Sequence, residues 1–394
     1  RRAIRMLEVL MRVLIAGGGT GGHLFPGFAV ARRLRRLDPE TDVHWVGGQR
    51  GIESRLVGAE GYPLTLLAAP SLRPAGAGAL DIARDAFALL RSIPQSIALI
   101  RRVRPDVVFS TGGYIAIPVL IATALTRTPS LLWEGNVIAG RSNRLVARLA
   151  TERAVAWKET QGTAPWSDAA THHTGTPVRD LTNGSRDDAR RALGVGDGEL
   201  LLLAFGGSQR ALRLESALNG VLESILDGWR VIHAVGDGIA AANERRNRLA
   251  APLRERYRPV EMLLDGAMEE ALLAADLLLG RAGASTIAEA AAAGLPAVIV
   301  PYPYAGGHQR ANAAAFAAAG AGTLVDDADC TPDRLAEALE HYRAPGARKA
   351  AGAAARSIAR PGAADTIAGM LRRIASSRGG SRGSDVHDAK VEGQ

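Results

Sequence analysis

The stretch RVLIAGGGTGGHLFPG, Arg12–Gly27, joins a short apolar run to five glycines packed ahead of a histidine. The run has the make-up of a buried strand. Beyond the loop the spacing turns helical, with Val30, Leu34 and Leu37 on one face and Arg32, Arg33 and Arg36 elsewhere. Strand, glycine loop, helix is how a βαβ unit of a parallel sheet begins. Gly17, Gly19 and Gly22 also fit the G-x-G-x-x-G spacing of a dinucleotide-binding turn. That reading needs an acidic residue at the end of the second strand to hold a ribose. The second run, DVHWVGGQRG (Asp42–Gly51), offers Gly47, Gly48 and Gln49 instead. No G-K-[ST] of an ATPase phosphate loop occurs either. A tight turn accounts for two or three glycines. Five, followed by His23, let backbone amides and a helix N-terminus face an anion or a sugar. His23 is then a general base, or a capping or substrate-positioning group.

Working outward, the same rhythm repeats. VHWVG, PLTLLA, DVVFS, SLLWE and AVAWK follow as candidate strands with helical periods between them. It pauses at THHTGTPVRD (Thr171–Asp180) and restarts with ELLLLAFGGSQRA (Glu199–Ala211). RVIHAVG, VEMLL, DLLLG, AVIVP and GTLV come next. The expected fold class is α/β, with two Rossmann-like domains whose parallel sheets face each other across a cleft. The expected boundaries are 11–172 and 173–357, then a helical stretch over 358–375. The polar, glycine-rich 376–394 is expected to be a disordered tail. Ligands of such sheets bind at the carboxyl ends of the strands, so the chemistry belongs to the loops there.

The 394 residues are 47% hydrophobic and 22% charged, a globular composition large enough for two cores. A single cysteine, Cys330, excludes an intrachain disulfide and suits a reducing compartment. The net charge of +8, from 48 basic and 40 acidic residues, suits an anionic partner. Nucleic acid is disfavoured, because no binding motif occurs and aromatics do not interleave with the basic residues. The first residues, interrupted by Glu8 and Arg12, do not make a signal peptide. YIAIPVLIATALT (Tyr114–Thr126) is too short to span a bilayer and contains Pro118. The expectation is a cytoplasmic protein that touches a membrane without crossing it.

Three more stretches carry chemistry. GGSQRA (Gly206–Ala211) permits close backbone approach and adds the Ser208 hydroxyl, a plausible pyrophosphate cradle. GRAGASTIAEAAAAGLP (Gly280–Pro296) puts Arg281 and the amides of Gly283 and Ala284 at a strand end, with Glu289 one turn into a helix. Glu289 there accepts both hydroxyls of a ribose while Arg281 faces phosphates, or else Thr286 and Glu289 form a capping box. PYAGGHQRANA (Pro303–Ala313) places His308, Gln309 and Asn312 to read sugar hydroxyls, or to cap a helix. Metal-ligand spacings are missing. His172 and His173 are adjacent, and Asp327–Asp329 precedes TPDRL as a turn and helix start. Neither a metal nor a cofactor is therefore expected, and positive groups with helix dipoles take the leaving phosphate's charge. In Leu80–Arg104, Leu80 and Phe87 stand seven apart, as do Arg84 and Arg91. An apolar ridge rimmed by arginines suits anionic lipid, or is a core-packed helix with a solvated basic face.

Taken together and in order, GGGTGGHLFPGFAVA, STGGYIAIP, GNVIAGRSNRL, GTPVR, GGSQRA, RAGASTIAEAAAAGLPAVIVPYP and GHQRANA resemble the MurG family, the GT-B glycosyltransferases of family 28. The similarity runs over residues 11–375. It implies an inverting, metal-independent transfer of GlcNAc from UDP-GlcNAc to the C4 hydroxyl of MurNAc in undecaprenyl-linked lipid I. The product is lipid II for peptidoglycan synthesis, made at the cytoplasmic face of the bacterial plasma membrane by a peripheral protein. By resemblance, Glu289 holds the ribose, and Arg179, Ser208 and the Ala284 region, opened by Arg281, meet the pyrophosphate. Asn136, His308 and Gln309 read the GlcNAc hydroxyls, with Asn312 beside them. Thr20, Gly21, Gly22, Gly112, Gly113 and Tyr114 take the acceptor's pyrophosphate, and His23 is the candidate base. Leu80, Arg84, Phe87 and Arg91 fall in the membrane-contact region, and the 358–375 helix packs back on the N-terminal domain. Departures stand at Trp133 and Gly135, in WEGN where the family has His-Glu-Gln-Asn. Arg210 replaces a glycine and Gly307 an acidic residue. They motivate two alternatives, a GT-B transferase with another lipid acceptor and a UDP-sugar-binding paralogue without turnover. A UDP-sugar 2-epimerase is disfavoured by the glycine loops and their order.

Overall fold

The computed structural model describes residues 10–49, 52–68, 79–206, 211–264 and 266–388. They form two compact units. The first contains the chain up to Gly135, Ala139–Pro177 and the chain from Gly362; the second contains Asn136–Ile138 and Val178–Pro361.

The first unit is built on seven parallel strands, β1 (Arg12–Ala16), β2 (Asp42–Gly48), β3 (Leu64–Leu67), β4 (Val107–Ser110), β5 (Ser130–Glu134), β6 (Glu152–Val155) and β7 (Thr171–His173). Their order is β3-β2-β1-β4-β5-β6-β7. The second unit repeats the plan with β8 (Leu200–Phe205), β9 (Trp229–Ala234), β10 (Tyr257–Val260), β11 (Leu277–Gly280), β12 (Ala297–Ile299) and β13 (Gly322–Leu324), ordered β10-β9-β8-β11-β12-β13. Every residue of β4, β5 and β11 is buried. Helices on both faces of a parallel sheet demand such uninterrupted apolar strands. In each sheet the order reverses at the first strand, between β1 and β4 and between β8 and β11. Ligands of open α/β sheets bind at such switch points. The glycine loops after β1, β4 and β11 lie there.

The helix Ala363–Asp388 closes the first core from the far end of the chain. Ile367, Ala368, Leu371 and Ile374 pack among Val13, Ile15, Phe109, Leu131 and Trp133. Arg373 donates two hydrogen bonds to Glu152, 2.7 and 2.8 Å, and these hold the Glu152 carboxyl below its usual range. Arg33 pairs with Asp365.

Four details differ from the sequence reading. The first sheet keeps the chain past residue 172, because His173 still pairs with Val155, and the units divide after Pro177. The strand sought in VEMLL lies earlier, at Tyr257–Val260, where it registers with Val231–Ala234; Met262 and Leu264 are exposed beyond it. Leu37, the last residue of the Gly21–Leu37 helix, is 41% exposed, while Val30 and Leu34 are buried. Finally, the backbone of residues 376–388 is helical, where a disordered tail was expected. No proline interrupts this run, and Ser376 and Ser377 donate back to the carbonyls of Arg372 and Ile374, so their hydroxyls fit the helix.

Leu371→Ala is expected to cost about 2–5 kcal/mol, as for other large-to-small changes in a close-packed core. Urea denaturation measures it. A loss under about 1 kcal/mol would mean the helix is not part of the first core.

Candidate active site

In the first unit the loop after β1 is held by two side chains from the β2 side. Trp45 Nε1 donates to the Gly17 carbonyl at 2.8 Å. Glu53, 1% exposed, accepts from the Gly19 amide at 2.7 Å and the Gly48 amide at 3.2 Å. The Gly17 and Gly19 amides are occupied, by the Val46 carbonyl and by Glu53. Past Gly19, Thr20 caps the Gly21–Leu37 helix through its carbonyl, which accepts from the amides of His23 (3.1 Å) and Leu24 (3.2 Å).

His23 joins this loop to the one after β4. Its Nδ1 donates to the Thr111 carbonyl at 2.8 Å. In the neutral ring that bond makes Nε2 the basic nitrogen, a tautomer assigned from the hydrogen bond. Gly113 lies against the same ring, since a Cβ there would sit 3.5 Å from Nε2. Thr20, Gly21, Gly22, His23, Gly112 and Gly113 thus come together, with Tyr114 40% exposed beyond them. Beneath Gly112, the buried Asn143 donates to Glu134 Oε2 at 2.9 Å, and the Gly140 amide donates to the same oxygen.

In the second unit Ser208, like Gly207 to Arg210, lies outside the described residues. The loop after β11 runs into the helix Ala284–Ala293, whose N-cap is Gly283. The first-turn amides of such a helix lack intrahelical partners and present partial positive charge. With the cap at Gly283, Thr286 and Glu289 are not a capping box. Instead, buried Glu289 accepts from Arg179 Nε at 2.7 Å, and Arg179 Nη1 donates to Glu269 Oε2 at 3.2 Å. Burial works against charge on Arg179, but Glu289 and Glu269 outweigh it and raise its pKa.

Arg281 has partners that the sequence reading did not name. Its Nη1 donates to the carbonyls of Val300 (3.1 Å) and Pro301 (3.2 Å) and to Asp327 Oδ1 (2.6 Å). Asp327 opens a short turn ahead of the Thr331-capped helix Pro332–His341, so this aspartate triplet braces an arginine. The Asp327 contact could not be read from the strand-end position of Arg281 alone.

Asn136 to Ile138 lie against the helix His308–Ala318. Asn312, fully buried, accepts from the Val137 amide at 3.0 Å and donates to Asn136 Oδ1 at 3.0 Å and to the Ala282 carbonyl at 3.1 Å. His308 Nδ1 donates to the Ile138 carbonyl at 2.9 Å. Gln309 Oε1 accepts from the Tyr302 amide at 2.9 Å. Asn136, His308 and Asn312 are one cluster, tied through Ala282 to the loop that starts the Glu289 helix. Two family departures have structural causes. Gly307 has φ +78°, a conformation in which an acidic residue would be strained. Trp133 is buried and donates to the Gly175 carbonyl at 3.0 Å.

Spacing gave no sign of Glu53, Glu134, Asn143 or Glu269. Nor did it mark His233, buried in β9 between the Tyr257 hydroxyl (3.1 Å) and the Glu215 carboxylate (3.1 Å). Burial there pushes Tyr257 up to about 12. In the helix Ala79–Val103, Ser92, Ser96, Leu99 and Ile100 are buried, while Arg84, Phe87, Leu90 and Arg91 are exposed. The side chain of Leu80 lies outside the described residues. Phe87 and Leu90 are 65% and 67% exposed. Among the described residues no helix is long and apolar enough to cross a membrane.

Glu53→Ala leaves the Gly19 and Gly48 amides without their acceptor, at a cost of about 1–3 kcal/mol. Hydrogen exchange in peptides spanning the first glycine loop is expected to accelerate. Unchanged protection would show that Glu53 does not hold the loop.

Two parallel sheets, each with its order turning back at its first strand, and a buried carboxylate one turn into the helix after β11 make the architecture of the GT-B glycosyltransferases, which the family match identifies. The chain belongs to glycosyltransferase family 28: residues 13–155 match the family's N-terminal domain and residues 201–367 its C-terminal domain. It is 38% identical over 376 residues to a Desulforudis audaxviator protein, covering 93% of this chain and 99% of the relative. A Nocardioides relative is 39% identical over 356 residues, 88% of this chain and 94% of its own. Both are named UDP-N-acetylglucosamine–N-acetylmuramyl-(pentapeptide) pyrophosphoryl-undecaprenol N-acetylglucosamine transferase. The crystal structure of Acinetobacter baumannii MurG superposes with a TM-score of 0.67 at 25% identity, covering 92% of this chain and 99% of that one.

Proposed function

We propose that this chain transfers GlcNAc from UDP-GlcNAc to the C4 hydroxyl of MurNAc in undecaprenyl-pyrophosphoryl-MurNAc-pentapeptide, lipid I, and so makes lipid II for peptidoglycan. The observation that carries the reading is His23, whose Nδ1 is committed to the Thr111 carbonyl and whose Nε2 is the basic ring nitrogen. Full-length similarity to transferases of that name supports the choice of substrates.

The donor belongs to the second unit. Glu289 accepts from the ribose hydroxyls, the first-turn amides at Ala284 and the Arg179 guanidinium take the diphosphate, and Ser208 adds a hydroxyl. Asn136, His308, Gln309 and Asn312 read the GlcNAc hydroxyls. In the first unit, Thr20, Gly21, Gly22, Gly112, Gly113 and Tyr114 receive the acceptor's diphosphate. His23 Nε2 takes the proton of the C4 hydroxyl as that oxygen attacks C1 of GlcNAc. The bond from C1 to the β-phosphate oxygen breaks, UDP leaves with the electron pair, and the anomeric centre inverts. Helix-terminal amides and Arg179 stabilise the charge that develops on UDP. Arg281, braced on Asp327, opens the loop that meets the phosphates.

The test is transfer of labelled GlcNAc to a short-chain lipid I analogue. His23→Ala is expected to lower kcat by about 10²–10⁴-fold with the donor KM little changed. Glu289→Ala is expected to raise the donor KM by about tenfold or more. Full turnover by His23→Ala would remove it as the base; no disaccharide from the wild-type chain would overturn the reaction.

The exposed Phe87 and Leu90, flanked by Arg84 and Arg91, are proposed to rest on the anionic surface of the cytoplasmic leaflet. Phe87→Asp with Leu90→Asp is expected to abolish co-sedimentation with phosphatidylglycerol vesicles and to spare turnover of a soluble acceptor. Undiminished sedimentation would place the contact elsewhere.

A further inference from the structure

We propose that Glu269 competes with the donor's diphosphate for Arg179, and thereby determines how tightly UDP is held and how fast it leaves. The inference rests on the donor-site reading above.

Arg179 lies between two carboxylates, Glu289 at 2.7 Å and Glu269 at 3.2 Å. The side chains of Arg179 and Glu289 are 9% and 7% exposed, that of Glu269 19%. Water therefore screens this group poorly. One cation and two anions leave a net negative charge where a diphosphate is to bind. The charge of Arg281, at the start of the loop after β11, is balanced by its own ion pair with Asp327. Glu269 stands in the first turn of the helix Ala267–Ala274.

The two glutamates differ in what a nucleotide does to them. Ribose hydroxyls donate to Glu289 and replace the Arg179 Nε there, so that contact is exchanged for another. The ionised diphosphate carries only acceptors and offers nothing to replace Arg179 on Glu269. The claim of Glu269 on Arg179 persists, opposes the phosphates while UDP is bound, and draws the guanidinium back as UDP departs. Nothing in the sequence motifs marks Glu269. Its exposed neighbour Glu270 carries the same charge in the same turn, without the contact to Arg179.

Calorimetry with UDP and with uridine tests this on the full chain. Glu269→Gln, close in shape and neutral, is expected to tighten UDP by about 3–10-fold and to slow its dissociation in stopped flow by a similar factor. Uridine, which has no phosphate, is expected to change by less than about twofold. Glu269→Asp, with the carboxylate drawn back by one methylene, is expected to fall between, and Glu270→Gln to match wild type. Weaker UDP binding by Glu269→Gln would overturn the proposal and make Glu269 only a support for Arg179. Equal tightening of UDP and uridine, or no change in either, would overturn it as well. Glu289→Ala separates the two levels. If it leaves UDP and uridine binding intact, the donor-site reading fails. If it weakens both while Glu269→Gln changes nothing, only the competition fails.

Discussion

In both sheets the strand order turns back at the first strand: β1 lies between β2 and β4, and β8 between β9 and β11. Crossovers leaving toward opposite edges pass over opposite faces, so the loops that begin them part and open a recess at the carboxyl ends. The glycine motifs lie at these points, and helix N-termini enter there with their amides outward. The rest of the molecule is arranged to keep those loops where the strands leave them.

That requirement explains the buried polar groups. A loop with few side chains has little to pack, so hydrogen bonds from neighbouring elements fix it. Glu53 and Trp45 hold the loop after β1, Glu134 and Asn143 underlie the one after β4, and Arg281 with Asp327 braces the one after β11. Asn312 secures Ala282 and the Asn136–Ile138 loop segment together. Each group costs free energy to bury and is tolerated because its partners are fixed. Loss of one partner leaves the other buried and unsatisfied, which makes these residues as indispensable as the apolar core.

Much of this was legible in the residues. Parallel strands buried on both faces read as unbroken apolar runs, and β1, β4, β8 and β11 announce themselves so. Glycines crowded behind them mark a close approach, which located His23 and Glu289. Other features depend on tertiary geometry that no local pattern encodes. Arg281 looks alike whether it faces a phosphate or Asp327. Glu53, Glu269 and His233 sit on ordinary helices and strands, and only the folded chain brings them to a loop, to an arginine, or between Tyr257 and Glu215. Thr171–His173 is too short and too polar to read as a strand, yet it pairs with β6 and moves the boundary between units. In the Ala79–Val103 helix, one spacing served two readings, and the structure divides them: the C-terminal half packs inward while Phe87 and Leu90 remain exposed.

In the proposed division of labour the donor binds at the second sheet's switch point and the acceptor chemistry belongs to the first. The most direct test is the equilibrium affinity for UDP of variants in each unit, measured side by side. The account predicts that Arg179→Ala loses at least about tenfold in UDP affinity while His23→Ala and Gly113→Ala bind UDP as wild type does. Equal loss of UDP binding from changes in the first unit, or undiminished binding by Arg179→Ala, would contradict it.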